Sequence, residues 1–201
     1  TGNIAVDPLF WRSAVRDFHL RAGSPCIDAG DPATPRDPDG SRADMGALPF
    51  DPAYRPAPFV YCTAKTNSCG GAPALAFSGR SSAAAASGFT VTATGARDGR
   101  PGVLLYSANG PGNTPFQGGL LCLAPAGVRR ATPVLASGGT ANACDATFEL
   151  DVNAFAAGQA GGNPGAFLSV VGQRVNVQWW GRDTMANGSF LSDALEYYVE
   201  P

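Results

Sequence analysis

From residue 59 onward the chain alternates apolar and polar positions with a period of two. Phe89, Val91 and Ala93 fall on one side of an extended segment, with Thr90, Thr92 and Thr94 on the other. Phe148, Leu150 and Val152 alternate in the same way with Thr147, Glu149 and Asp151, and Val175, Val177 and Trp179 with Asn176, Gln178 and Trp180. The pattern predicts strands over 59–64, 74–78, 88–94, 102–107, 118–124, 131–136, 146–152, 173–180 and 194–199. Gly, Pro and Asn punctuate these runs at hairpin-like intervals, as in Asn109-Gly110-Pro111-Gly112 and Gly161-Gly162-Asn163-Pro164. Short strands joined in this way predict an all-β fold, an antiparallel β-sandwich over residues 59–201. The alanine run 83–86 leaves room for one helical turn, which Gly88 and the surrounding serines keep short.

Residues 1–58 have another character. They hold nine of the 17 prolines and 14 of the 30 charged residues, all Asp or Arg. Their apolar runs are short: Ile4-Ala5-Val6, Leu9-Phe10-Trp11 and Phe18-His19-Leu20, separated by turn signals such as Asp31-Pro32 and Asp39-Gly40. An extended, strand-forming segment of this kind has too little apolar surface to offset its ordering entropy alone. It is expected to be ordered by docking, either on the second domain of its own chain or on another chain.

Composition narrows the function. The 201 residues carry a net charge of −2 and only 15% charged residues, which argues against nucleic-acid binding because phosphate neutralisation needs a basic face. No run reaches the roughly 18 apolar residues of a membrane helix. The start at Thr1, without Met or a signal region, suggests a processed product or fragment. Of five cysteines, Cys62 and Cys69 enclose a short polar loop that suits a local bridge. Cys122 and Cys144 flank a Gly-rich stretch and suit a bridge between neighbouring strands. Spacing alone does not fix the pairing. Two disulfides imply an oxidising compartment, extracellular or at the cell surface. Cys26 is left over and reads as a small buried apolar residue, or as an intermolecular bridge.

The order Asn3-Ile4-Ala5-Val6-Asp7-Pro8-Leu9-Phe10, Asp17-Phe18-His19-Leu20, Gly23-Ser24-Pro25-Cys26-Ile27-Asp28-Ala29-Gly30-Asp31, Asp37-Pro38-Asp39-Gly40, Arg42 and Asp44-Met45-Gly46-Ala47 resembles the closing stretch of secreted pectate-lyase-like right-handed parallel β-helix surface proteins. The β-helix coils that precede this stretch in such proteins are absent here. Residues 59–201 are similar to a C-terminal module of uncharacterised secreted bacterial proteins. The similarity is carried by Tyr61-Cys62-Thr63-Ala64, Pro115-Phe116-Gln117-Gly118-Gly119, Arg129-Arg130, Cys144-Asp145, Asp151-Val152-Asn153 and Gln178-Trp179-Trp180-Gly181-Arg182-Asp183. These resemblances imply a secreted or surface protein and supply no reaction.

Gln178, Trp180, Arg182 and Asp183 form the most site-like cluster. Trp179 and Trp180 face opposite sides of a strand, so at most one belongs to the core. An exposed Trp180 would stack on a sugar ring while its polar neighbours bond hydroxyls. The blander arrangement packs Trp180 under a loop and pairs Arg182 with Asp183. Asp37, Asp39 and Asp44 around Gly40 offer oxygen ligands to calcium, though the distal bidentate Glu of a calcium loop is missing and Asp-rich turns also form by backbone capping. No other cofactor is expected. Asp145, Glu149 and Asp151 read as solvated charges rather than a glycosidase pair. His19, the single histidine, lies between Phe18 and Leu20 without a nucleophile motif and reads as structural. Asn187-Gly188-Ser189 matches the N-glycosylation pattern, and the Ser-rich stretch 78–87 could carry other sugars.

The leading expectation is a non-enzymatic extracellular structural subunit that self-associates head to tail into a filament. Its N-terminal segment would donate strands to a neighbour's open sheet edge, through Ile4, Val6, Leu9, Phe10, Trp11, Phe18 and Leu20. The alternative is a carbohydrate-binding or anchoring module at the end of a larger secreted β-helix protein. An enzyme is disfavoured, because a second histidine, a paired-carboxylate cleft and a nucleophile motif are all missing.

Overall fold

Extended segments with one apolar face must pair their backbones and cover that face, and the chain does both. The structure is a computed structural model and describes every residue except 1, 139, 141, 142 and 185–187. The Asn187 glycosylation pattern therefore lies outside the described residues. The chain divides into two units, Thr1–Pro56 and Ala57–Pro201.

The first unit contains β1 (Phe10–Arg12) and β2 (Asp17–Leu20), joined by a 3-10 turn over Ser13–Val15. These two strands pair with each other, Phe10 opposite Leu20. Ile4, Val6 and Leu9, expected as donated strand, lie outside any strand, and Val6 is 61% exposed. Most of the unit consists of turns held by side-chain-to-backbone bonds, the usual solution for an Asp- and Pro-rich sequence. Asp44 ties two distant stretches together, accepting from the Asp28 and Phe50 amides at 2.7 and 2.5 Å. Leu20, Ser24 and Cys26 are buried, and Cys26 is a free thiol, as read from the sequence.

The second unit is the expected antiparallel sandwich. One sheet has the order β10-β5-β4, built from β4 (Ala74–Gly79), β5 (Phe89–Ala96) and β10 (Ala146–Asp151). The other has the order β3-β12-β11-β6-β9, built from β3 (Phe59–Tyr61), β6 (Pro101–Ser107), β9 (Arg129–Leu135), β11 (Arg174–Arg182) and β12 (Ser189–Tyr198). The core lies between them. Phe89, Val91, Ala93, Phe148 and Leu150 meet Leu104, Tyr106, Val175, Val177, Trp179, Leu195 and Tyr197. Phe148 stacks on Trp179 at 5.4 Å between centroids.

All nine predicted strands are present, with shifted ends. The structure adds a tenth in this unit, β7 (Pro111–Phe116), which pairs with β8 (Gly119–Leu123). Its Pro-Gly start reads as a turn in the sequence, because proline lacks the amide that a ladder needs. A short helix, α1 (Val152–Ala156), replaces the end of the predicted strand at 146–152. Asp151 caps it by accepting from the Ala154 amide at 3.0 Å. Residues 83–86 form no helix; the Ser82 hydroxyl takes the Ala84 and Ala85 amides instead.

The four cysteines do form two disulfides, but with a different pairing: Cys62 with Cys122 and Cys69 with Cys144. In place of a local Cys62–Cys69 bridge, the intervening chain is drawn along β12, with Lys65 bridged to Leu191, before it turns at Asn67–Gly70. Tyr61 Oη donates to the Cys122 carbonyl at 2.8 Å, which brings Cys62 to β8. Asn67 donates to the Gly95 carbonyl at 2.7 Å and Ser68 anchors on Asp183, which carries Cys69 to the far end of the sandwich.

Candidate functional site

Strand β11 puts Val175, Val177 and Trp179 into the core and Asn176, Gln178 and Trp180 on the opposite, outer face. The alternation suggests that this outer row is wet. Instead Asn176 and Gln178 are fully buried, because the β7–β8 hairpin lies over them. The Gln178 carbonyl accepts from the Cys122 amide at 3.0 Å, and its amide donates to the Leu120 and Ser192 carbonyls at 3.0 and 2.8 Å. Asn176 Nδ2 donates to Tyr61 Oη at 3.0 Å and to Glu196 at 3.3 Å. Burial drives the Tyr61 phenol well above its ordinary range, against the opposing effect of the Asn176 bond.

The hairpin turns at Gln117-Gly118, both with positive φ (47° and 77°), the pairing a two-residue hairpin turn demands. Its tip is fastened at two points. Lys65 Nζ donates to the Gln117 carbonyl at 2.7 Å, and Trp180 Nε1 donates to Gln117 Oε1 at 2.8 Å. Beneath it Val103, Leu105 and Leu123 form a second small core, against which Leu121, Val128 and Trp180 pack.

The hairpin does not cover the whole outer face. Beside it a groove of about 530 Å³ remains open, with Leu105, Phe116, Leu121, Val128 and Trp180 as its apolar lining and Arg129, Arg130 and Asn163 as its polar one. Among the described residues no acidic side chain lines it. Trp180 is half-buried, with the Arg182 guanidinium 5.3 Å and the Arg130 guanidinium 5.9 Å from its ring centroid. No known family, curated protein or solved structure matches this chain. The resemblances noted for its two parts are thus neither supported nor opposed, and the site rests on its own chemistry.

Of the four residues expected to meet a glycan, Trp180 and Arg182 come together beside the groove, while Gln178 and Asp183 do not belong to it. Gln178 is spent on the hairpin backbone. Asp183 accepts from the Ser68 amide at 2.7 Å, from the Ser68 hydroxyl and from the Thr184 amide at 2.5 Å. Burial opposes its ionisation, but those bonds and the nearby Arg97 outweigh it and hold the carboxyl below its ordinary value. Arg182 is not paired with it. Arg129, Arg130, Phe116 and Val128 escaped the sequence reading of the site. The one signal was the Arg129-Arg130 pair opening an edge strand.

The proposed calcium ligands do not converge. Asp37 accepts from the Asp44 amide at 2.9 Å, Asp39 accepts from the Ser41 amide at 2.9 Å, and both Asp44 oxygens serve backbone amides. No metal-binding cluster of His, Cys, Asp or Glu occurs among the described residues. His19 donates through Nδ1 to Asp17 at 2.8 Å and stacks on Tyr54 at 3.6 Å, while Tyr54 Oη donates to the other Asp17 oxygen at 3.0 Å. Burial works against the Asp17 charge, and the bonds from His19 and Tyr54 prevail, lowering its pKa. This arrangement clamps residues 51–56 onto the β1–β2 hairpin. Among the described residues no hydroxyl or thiol nucleophile is bonded to His19.

Proposed function

We propose that this chain is a non-enzymatic extracellular protein that binds glycan in the groove beside the β7–β8 hairpin. The open groove carries the reading. Its volume suits one or two sugar rings, and its apolar lining suits their C–H faces. The hairpin that forms its wall is held by a disulfide, a buried Gln178 network and two bonds at the tip, so the concavity exists before ligand arrives. Two disulfides support an oxidising compartment, and among the described residues no helix is long and apolar enough to cross a membrane. A glycan array probed with the intact protein tests the reading. Retention of a defined glycan class, lost in Trp180→Ala and recovered from the protein at its original length, is the expected result. An array without retention rejects it.

Self-assembly is a second reading, favoured by two specific features. Val6 and Phe18 are 61% and 42% exposed on the first unit, and β4 is an edge strand of its sheet. Sedimentation velocity of the intact chain over a concentration series is the measure. Oligomers that vanish in Val6→Asp and Phe18→Asp variants support strand or face sharing, whereas a monomer throughout excludes it.

A further inference from the structure

Resting on the groove being the glycan site, we infer that its ligand is an acidic polysaccharide, one whose sugar rings carry carboxylates. The chain as a whole is slightly acidic, yet Arg129 and Arg130 line this concavity and Arg182 lies at its edge, against the Trp180 ring. Arg129, Arg130 and Arg182 are exposed, and among the described residues their guanidiniums make neither an ion pair nor a hydrogen bond. Arg80, by contrast, holds Glu200 at 2.7 Å, and Arg36 and Arg42 serve backbone carbonyls of the first unit.

What the three do have is aromatic support. Arg130 and Arg182 both rest against the Trp180 indole, and Arg129 lies 6.0 Å from the Phe167 ring centroid. A guanidinium steadied through its face by an aromatic ring keeps its in-plane N–H donors for a ligand, and loses less side-chain freedom when the ligand comes. Trp180 is itself fixed through Gln117. It is therefore an organiser of cations rather than a bare stacking platform. A carboxylate matches the fork of such a guanidinium in two parallel bonds, and the apolar lining takes the ring that bears it.

The test is calorimetric titration of the intact protein with an alginate tetrasaccharide and with the same oligomer after reduction of its carboxyl groups to alcohols. The acidic oligomer should bind at least about tenfold tighter, the value of a charge-assisted bond, and its affinity should fall as salt rises. Arg130→Gln with Arg182→Gln should abolish that preference, so that the acidic and the reduced oligomer bind with the same affinity. Both side chains are exposed, so the melting temperature should hold. Arg36→Gln, in the first unit, should change nothing. Equal binding of the two oligomers overturns the acidic ligand while the glycan reading stands. Binding of neither overturns both. An equal loss in Arg36→Gln, or tighter binding of oligo-dT than of alginate, overturns the carboxylate assignment in favour of diffuse charge or of nucleic acid.

Discussion

Replacing Gln178 by leucine isolates what holds the hairpin down. The side chain has no exposed surface and engages three backbone groups: the Cys122 amide, the Leu120 carbonyl and the Ser192 carbonyl. Leucine has nearly the same volume and adds apolar contact with the small core of Val103, Leu105 and Leu123, so packing alone predicts little change or a gain. Hydrogen bonding predicts the opposite. The Cys122 amide is left in a dry site at about 1–3 kcal/mol, and two carbonyls each lose a donor, for a total of about 2–4 kcal/mol. Gln178→Ala removes the same bonds and opens a cavity, so it should cost about 1 kcal/mol more. Urea unfolding with the disulfides intact, followed by tryptophan fluorescence, measures the difference, provided that the m-value is unchanged. Faster hydrogen exchange at the hairpin amides should accompany the loss. A Gln178→Leu protein within about 0.5 kcal/mol of the parent would refute the argument that buried amide bonds, rather than shape, fix the groove wall.

Other expectations follow from the same structure. The disulfides close long stretches, with separations of 60 for Cys62–Cys122 and 75 for Cys69–Cys144. Removing either by paired alanine substitution should cost about 4 kcal/mol, read as a fall of roughly 10 °C in calorimetry. Acid should unfold the second unit partly through Asp183, whose folded pKa lies below its unfolded one. Its stabilisation is present above the unfolded pKa and is lost as pH falls through the folded pKa, so Asp183→Asn should weaken the acid dependence of melting. Asp193 is the reverse case. Burial raises its pKa despite the bond that it accepts from the Leu75 amide at 2.7 Å, so its stabilisation is lost as pH rises through the folded value. Asp193→Asn keeps an acceptor for that amide without the charge and should melt higher at pH 7, checked by the same scan. Arg130→Lys keeps a positive charge on the edge strand but removes the guanidinium fork. If recognition of carboxylate is what Arg130 does, affinity for the alginate oligomer should drop about fivefold or more while solubility and melting are unchanged.

The sandwich was legible because burial on one face imposes a period of two, and the strands that obey it most strictly, β5 and β10, are the ones whose apolar residues meet the opposing sheet. The outer face of β11 misled for a physical reason. Asn176 and Gln178 are polar, and polarity in a strand pattern usually means water, but here it means a third layer whose backbone requires partners. Strand β7 was hidden by its prolines, Pro111 and Pro115, which are tolerated because the strand pairs on one side only. With β7 unread, β8 looked like an ordinary strand of the sandwich, and no covering hairpin was foreseen. The disulfide pairing failed with it, since Cys122 reaches Cys62 only once β8 lies across the outer face. Trp180 and Arg182 were found because they are adjacent on one strand face. Arg129 and Arg130 reach the same groove from another strand, a relation that depends on sheet order and not on spacing.

That order also explains why a groove exists at all. Five strands at about 4.8 Å spacing make a face close to 20 Å wide, and a two-stranded hairpin covers roughly half of it. The hairpin sits where the sheet offers it a partner, over the Gln178 amide of β11, and is locked there by Cys62–Cys122. The remainder lies beside the second small core, where Leu123, Leu121, Val128 and Trp180 already bury Val103 and Leu105, and the groove stays open at that core's border. An apolar groove beside an edge strand is a hazard, and charge is the usual guard against sheet-to-sheet pairing. Arginine at 130 meets that need, but lysine would serve equally well for repulsion. What repulsion does not require is a second arginine at 182 on an interior strand, turned onto the same indole and unpaired. Two forks converging on one fixed ring, from strands two apart in the sheet, are what a ligand with a planar anionic group would select.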